Sequence, residues 1–239
     1  MKFYKLFSLS ALFLFACKQQ KTEQLIVGTS PDYPPFAFIE KGQTVGLDID
    51  IMHELARRLN RPVEFRAMEF DLLLPELQMG NLQLVVGGMT ATPERAERVF
   101  FTEPYLIGGE VVMLSKNDLH VQNLADLKNY KVVVNDGYVP DTYVTKNGIE
   151  PLRVASVADA LFLLEVGQAD VFVSSKTALA YFLKNLSGCK TTTIAGIDDE
   201  SSLAISKHYP ELGNQVASEL HKMKTDGTLE AIFKKWSIL

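Results

Sequence analysis

Cysteine is nearly absent from this chain. Its 239 residues hold two, Cys17 and Cys189, and if the first serves another purpose no pair remains for an internal disulfide. Stability must then come from buried apolar cores. Histidine is sparse as well. His53, His120, His208 and His221 are scattered, and no Cys, His or carboxylate cluster has metal-ligand spacing. Neither a metal nor a cofactor is expected. There is no Gly-x-Ser-x-Gly elbow and no Gly-x-x-x-x-Gly-Lys-Ser/Thr loop, so two familiar signs of hydrolase and nucleotide chemistry are missing. Positive clusters are missing too. The 24 Lys and Arg are outnumbered by 29 Asp and Glu, for a formal net charge of −5. With no basic stripe, nucleic acid is not an expected partner. Beyond the N-terminus no segment approaches roughly eighteen uninterrupted apolar residues, so nothing later reads as a membrane span.

The N-terminus itself reads as an address. Lys2 and Lys5 precede an uncharged, mostly apolar run from Leu6 to Ala16. That run is too short to cross a bilayer and shows no amphipathic period, which suits the core of an export signal. Leu14-Phe15-Ala16-Cys17 resembles a lipobox, in which the cysteine is lipidated and becomes residue one. Phe15 is bulkier than lipoboxes usually show there, so plain cleavage stands as the alternative. Residues 17–24 are polar and suit a tether. The expectation is an exported lipoprotein, periplasmic or at the cell surface, anchored through Cys17. Loss of residues 1–16 removes two lysines and no acid, moving the charge from −5 to −7.

Strand-like and helix-like segments alternate along the rest, which predicts an α/β chain with mostly parallel sheets. Leu25-Ile26-Val27 reads as a buried strand leading into a proline-rich loop. Apolar residues at Ile51, Leu55 and Leu59 give a helix over 50–59, followed by a strand over 63–66 and a helix over 70–78 that contains Pro75. Leu82 to Val86 is a third strand. A second unit begins near Val111, with strands over 131–134 and 171–173. Between them a helix begins behind Ser156 and stops at Gly167. Leu203-Ala204-Ile205 reads as the strand that returns to the first unit, and two closing helices follow Tyr209.

The most informative stretch runs from Val85 to Tyr105. Gly87-Gly88 lets backbone approach a ligand closely. Thr92 is placed to cap a helix whose first residue is Pro93. Arg95 then falls in the first turn, where the helix dipole favours an acid. Two readings stand: a solvated Arg, or a guanidinium that joins N–H groups and hydroxyls around one carboxylate.

Gly-Met-Thr-x-Thr-Pro-Glu-Arg at 88–95 and Phe-Thr-Glu-Pro-Tyr at 101–105 resemble the signature of the family 3 extracellular solute-binding proteins, the polar amino-acid receptors of bacterial ABC importers. Val27 to Phe36 resembles that family's first strand and ligand loop. Gly46-Leu47-Asp48-Ile49-Asp50 resembles its Gly-Phe-Asp-x-Asp helix start, and 224–236 its closing helices. The resemblance implies a periplasmic-binding-protein-like α/β fold of two lobes, joined by two hinge strands with the ligand cleft between them. Lobe 1 would comprise 25–109 and 203–239, and lobe 2 residues 110–202. It also implies a monomer that binds an amino acid and docks on a membrane permease, without enzymatic activity.

By the same resemblance, a ligand carboxylate would meet Thr90 and Arg95, and its ammonium the carbonyl of Gly88. Phe70 and Tyr33 would cover the side chain. Tyr138, after Gly137, would belong to the ligand loop of lobe 2. For Phe70 a core role at a helix start is the other reading. Two departures stand out. Ser175 holds the place where relatives commonly carry the aspartate that faces the ammonium, and a hydroxyl cannot offset a buried cation. Glu110 or Asp136 would have to substitute, although a hinge residue and a turn residue are the simpler readings of each. Ser30 holds a place that is often aspartate in relatives selective for cationic or amide side chains, and Asp32 close by reads more simply as an exposed turn acid. A basic ligand such as arginine is expected slightly ahead of glutamine. Dehydratases of prephenate or arogenate also resemble this family and use the same cleft, so a cleft enzyme is the alternative function. Ser175 weakens that alternative by removing one carboxylate.

Overall fold

Two five-stranded sheets organise the chain, and each is built around a parallel centre. The structure, a computed structural model, describes residues 23–107, 110–183 and 186–238. The expected export signal, Cys17 and most of the tether lie outside the described residues, as does the pair 108–109 at the end of the expected lobe 1 segment. In chain order, β1 (Leu25–Thr29) is followed by a small antiparallel sheet of β2 (Asp32–Tyr33), β3 (Ala37–Glu40) and β4 (Gln43–Val45). Then come α1 (Leu47–Arg58), β5 (Val63–Ala67), α2 (Phe70–Gln78), β6 (Leu84–Val85), α3 (Pro93–Ala96) and β7 (Phe100–Phe101). The chain crosses to β8 (Glu110–Lys116), a short 3-10 helix (Leu124–Asn129), β9 (Val132–Asn135), α4 (Val139–Lys146), β10 (Leu152–Val154) and α5 (Val157–Glu165). After β11 (Val171–Ser175), α6 (Lys176–Leu183) and the long β12 (Cys189–Asp198), it crosses back to β13 (Ala204–Ile205), α7 (Pro210–Thr225) and α8 (Thr228–Lys235).

The first sheet has the order β5-β1-β6-β13-β7 and the second β10-β9-β11-β8-β12. Parallel pairing holds only at β1-β5, β1-β6, β9-β10 and β9-β11. β8, β12 and β13 pair antiparallel because they carry the crossings and approach each sheet from the other lobe. The sheets are therefore mixed rather than mostly parallel. The two crossings meet in one antiparallel bridge, Leu106 with Ser201.

The second sheet is buried on both faces. Along β8, Val112 and Leu114 join the large core shared with lobe 1, while Val111 and Met113 join a separate core beneath Val132, Val134, Val171 and Val173. That is the two-residue period of a strand with helices on either side. In lobe 1, α1 begins at Gly46, whose φ of 142° only glycine adopts readily. A Cβ there would stand 2.1 Å from the Phe36 carbonyl oxygen. α8 docks on α1 through Asp50, which accepts from Trp236 Nε1 at 2.7 Å and from Lys235 Nζ at 2.6 Å.

Candidate functional site: the cleft between the lobes

The loop after β6 is pinned from below. Asp48, fully buried in the first turn of α1, accepts from the Gly87 N–H at 2.7 Å, the Gly88 N–H at 2.8 Å and the Tyr105 hydroxyl at 2.5 Å. Burial still pushes its carboxyl up to about 6, against those three bonds. The Gly-x-Asp motif and the Gly-Gly loop are thus two halves of one interaction. Both glycine amides are taken up by Asp48, which leaves the Gly88 carbonyl as the group expected to meet a ligand. Gly88 has a φ of 64°, and a Cβ on it would lie 3.1 Å from the Phe36 ring, so close packing is what requires glycine here.

Above this loop α3 presents Arg95. Thr92 Oγ1 accepts the Arg95 backbone N–H at 3.3 Å, and Pro93 opens the helix. The Arg95 side chain turns into the cleft. Nη1 donates to the Thr90 carbonyl at 2.9 Å, Nη2 donates across the cleft to the Gly137 carbonyl at 2.8 Å, and Cζ lies 5.4 Å from the centre of the Phe70 ring. Desolvation pulls its pKa down. No carboxylate lies within ion-pair distance of it among the described residues. Its guanidinium is thus held on neutral carbonyls in a partly dry cleft, with the charges of Asp199 and Glu94 acting on it from beyond ion-pair distance.

Three aromatic rings fill the next layer. Tyr138, which flanks the start of α4 in lobe 2, stands between Tyr33 and Phe70 of lobe 1. Its ring centroid is 4.2 Å from Tyr33 and 3.6 Å from Phe70, with interplanar angles of 25° and 19°. Tyr138 is 3% exposed, and its hydroxyl has no hydrogen-bond partner among the described residues. Burial raises the Tyr138 pKa, and the charge of Asp32, acting on the same stack, raises it further. Asp32 is not the exposed turn acid the sequence suggested. The buried Ser30 hydroxyl bonds both its oxygens at 3.1 Å, and burial pushes its carboxyl up to about 6.

Other expected residues stand elsewhere. Glu110 pairs with Lys176 and lines a cavity of about 580 Å³ with Pro35, Tyr181 and Trp236, away from Arg95. Asp136 is exposed, 3.8 Å from Arg153. The acid inside the cleft is one that sequence reasoning passed over. Asp199, on the second crossing, accepts from Thr90 Oγ1 at 3.2 Å. Burial raises its carboxyl, while the Ser175 and Thr90 hydroxyls and the charge of Arg95 pull it back. Its one signal in the sequence was the acidic run at 198–200, placed where the chain crosses between units.

Residues 25–238 match the model of the bacterial extracellular solute-binding proteins, family 3. The chain belongs to that family. Among its relatives, the arginine-binding extracellular protein ArtP of Bacillus subtilis is 29% identical, over 90% of this chain and 86% of its own. A probable histidine-binding protein of Campylobacter jejuni is 28% identical, over 98% of this chain and 96% of its own. The crystal structure of a mutant of ArgBP from T. maritima superposes with a TM-score of 0.84 at 29% identity, covering 90% of this chain and 96% of that one. In this family 3 solute-binding protein, then, the two-lobed frame is the family's own. Membership also makes it an exported protein that binds solutes rather than an enzyme. Within that frame this chain lodges Tyr138 between Tyr33 and Phe70, ends β11 on Ser175 and carries Asp199 on the crossing.

Proposed function

We propose that this protein captures a polar amino acid between its lobes, a basic one in preference to a neutral one, and delivers it to the permease of an ABC importer. Arg95 carries the reading. A half-buried guanidinium that faces the other lobe and lacks a carboxylate partner is suited to the α-carboxylate of a ligand. The aromatic slot of Tyr33 and Phe70 supplies flat apolar faces for a side chain. Asp32, at that slot, supplies the negative charge that a guanidinium or imidazolium would require. The names of the arginine- and histidine-binding relatives point the same way. In this reading Gly88, Thr90, Ser30 and Ser175 line the site around these groups, and Glu110 does not.

The test is a thermal-shift and calorimetric screen of L-arginine, L-histidine, L-glutamine and L-cystine against the mature chain. A true ligand at a hundred times its dissociation constant adds roughly 2.7 kcal/mol of stability. A response to L-glutamine alone would remove the preference for a basic ligand, and silence toward all four would remove the function. The protein acts as a monomer tethered through lipid on Cys17. Labelling with a palmitate analogue should mark the wild type and not Cys17→Ser, and an unlabelled wild type would end the lipoprotein reading.

A further inference from the structure

The geometry points to Asp199 as the residue that receives the ligand's α-ammonium, moved from the strand end at Ser175 to the second interlobe crossing. The assignment rests on the proposed amino-acid function and sharpens it. Three observations carry it. Asp199 and Arg95 act on each other electrostatically within one cleft, yet no direct ion pair joins them among the described residues. Opposite charges held apart in this way form a template for a zwitterion, with the carboxylate on one side and the ammonium on the other.

Second, Thr90 links the two sites. Its carbonyl accepts from Arg95 and its hydroxyl donates to Asp199, so one residue of lobe 1 fixes both ends of the template. Third, Ser175 is not a vacancy left by a lost acid. Its hydroxyl accepts the Thr177 N–H at 3.2 Å at the start of α6, and from the lobe 2 side it draws the Asp199 carboxyl down against the effect of burial. An aspartate at 175 would place a second carboxylate against the first, and like charges so close cannot both stay ionised at little cost. The two positions are thus alternatives, and this chain uses the later one. Since Asp199 bonds Thr90 of lobe 1 and feels Ser175 of lobe 2 from the segment that crosses between them, ammonium binding also bears on how the lobes meet.

The experiment compares L-arginine with 5-guanidinopentanoate, which is the same molecule without its α-amino group, by calorimetry on the wild type, Asp199→Asn and Glu110→Gln. Asp199→Asn is expected to weaken L-arginine at least about thirtyfold, as loss of one partner of a desolvated charge pair does, while changing 5-guanidinopentanoate less than about threefold. Glu110→Gln should change neither. Equal losses for both molecules in Asp199→Asn would make the residue a structural support and overturn the assignment. So would a loss confined to Glu110→Gln. Ser175→Asp is a second variant, which sets a like charge against Asp199, and it should also weaken L-arginine. Tighter binding would show that Asp199 is not the acceptor. If the wild type binds neither L-arginine nor the other amino acids screened, the proposed function falls and this assignment with it.

Discussion

Single carboxylates in this protein pull stability in opposite directions with pH. Asp48 and Asp32 are raised from 3.8 to about 6 by burial. A raised carboxyl contributes stability that is complete below its unfolded pKa and is lost as pH climbs through the folded value. For Asp48 a shift of about two units corresponds to about 3 kcal/mol, lost between roughly pH 4 and pH 6. Glu54, Glu94 and Asp226 are lowered to about 2, mainly by hydrogen bonds from Arg57, Lys146 and Thr228 respectively. Their contribution is lost instead as pH falls from about 4.5 toward 2. Urea midpoints should therefore peak near pH 4–5. Asp48→Asn, which keeps an acceptor for the two glycine amides, should flatten the decline above that peak; an unchanged slope would mean Asp48 is not the group that titrates. Arg95 gives the other prediction at this scale. Arg95→Ala should cut ligand affinity by about tenfold to a hundredfold, and Arg95→Lys should lose much of it because the planar fork is gone. Full affinity by calorimetry in both variants would take Arg95 out of the site. Much of this residue detail was visible in the sequence, since Thr92, Pro93 and Arg95 lie within four positions of one another. Asp199 was not, because it meets Thr90 across 109 residues of chain and no local pattern reports such a meeting.

Elements were most legible where local chemistry decides them. Ser156 Oγ accepts the Asp159 N–H at 3.0 Å and α5 ends just before Gly167, as the capping residues indicated. α2 spans Phe70–Gln78 as expected, with Pro75 inside it. The short strands β2, β3, β4 and β7 were not anticipated. They have two to four residues each and hold only through partners supplied by tertiary packing. Helix α6 was not anticipated either: Ser175, whose hydroxyl accepts the Thr177 N–H at 3.2 Å at its start, reads first as a ligand position rather than a cap. Gly46 offers a test at this scale. Its backbone conformation and the Phe36 carbonyl 2.1 Å from a notional Cβ both exclude a side chain. Gly46→Ala should therefore lower unfolding stability by about 2–4 kcal/mol. A variant within about 0.5 kcal/mol of wild type in urea would show that α1 can start elsewhere.

At the scale of the molecule, the lobes touch through contacts that a ligand would have to share or replace. Arg95 reaches Gly137, Lys146 Nζ pairs with Glu94 at 2.8 Å, and Tyr138 is stacked on both sides. Two aromatic pairs are worth about 1–3 kcal/mol together. The unpartnered Tyr138 hydroxyl costs about as much, roughly 1–3 kcal/mol. The contribution of Tyr138 to the closed arrangement is thus near balance, and small changes to it should tell. Tyr138→Phe keeps the stacks without the unpartnered hydroxyl and should decrease the radius of gyration of the unliganded protein by small-angle scattering. Equal radii would mean that other contacts hold the lobes together. Where Tyr138 stays between Tyr33 and Phe70, no ligand side chain can lie there, so binding must proceed through the opened form.

The lone tryptophan sits where this motion can be seen. Trp236 holds Asp50 of α1 through its indole N–H, and its ring meets Phe38 edge-on with centroids 5.7 Å apart. Phe38 in turn touches Tyr181, on α6 of the other lobe, at 5.3 Å. A rotation of one lobe against the other changes the surroundings of an indole that no other tryptophan obscures. The chain therefore carries its own optical gauge. Emission excited at the red edge of indole absorption, followed after rapid mixing, would time the opening and closing without any label.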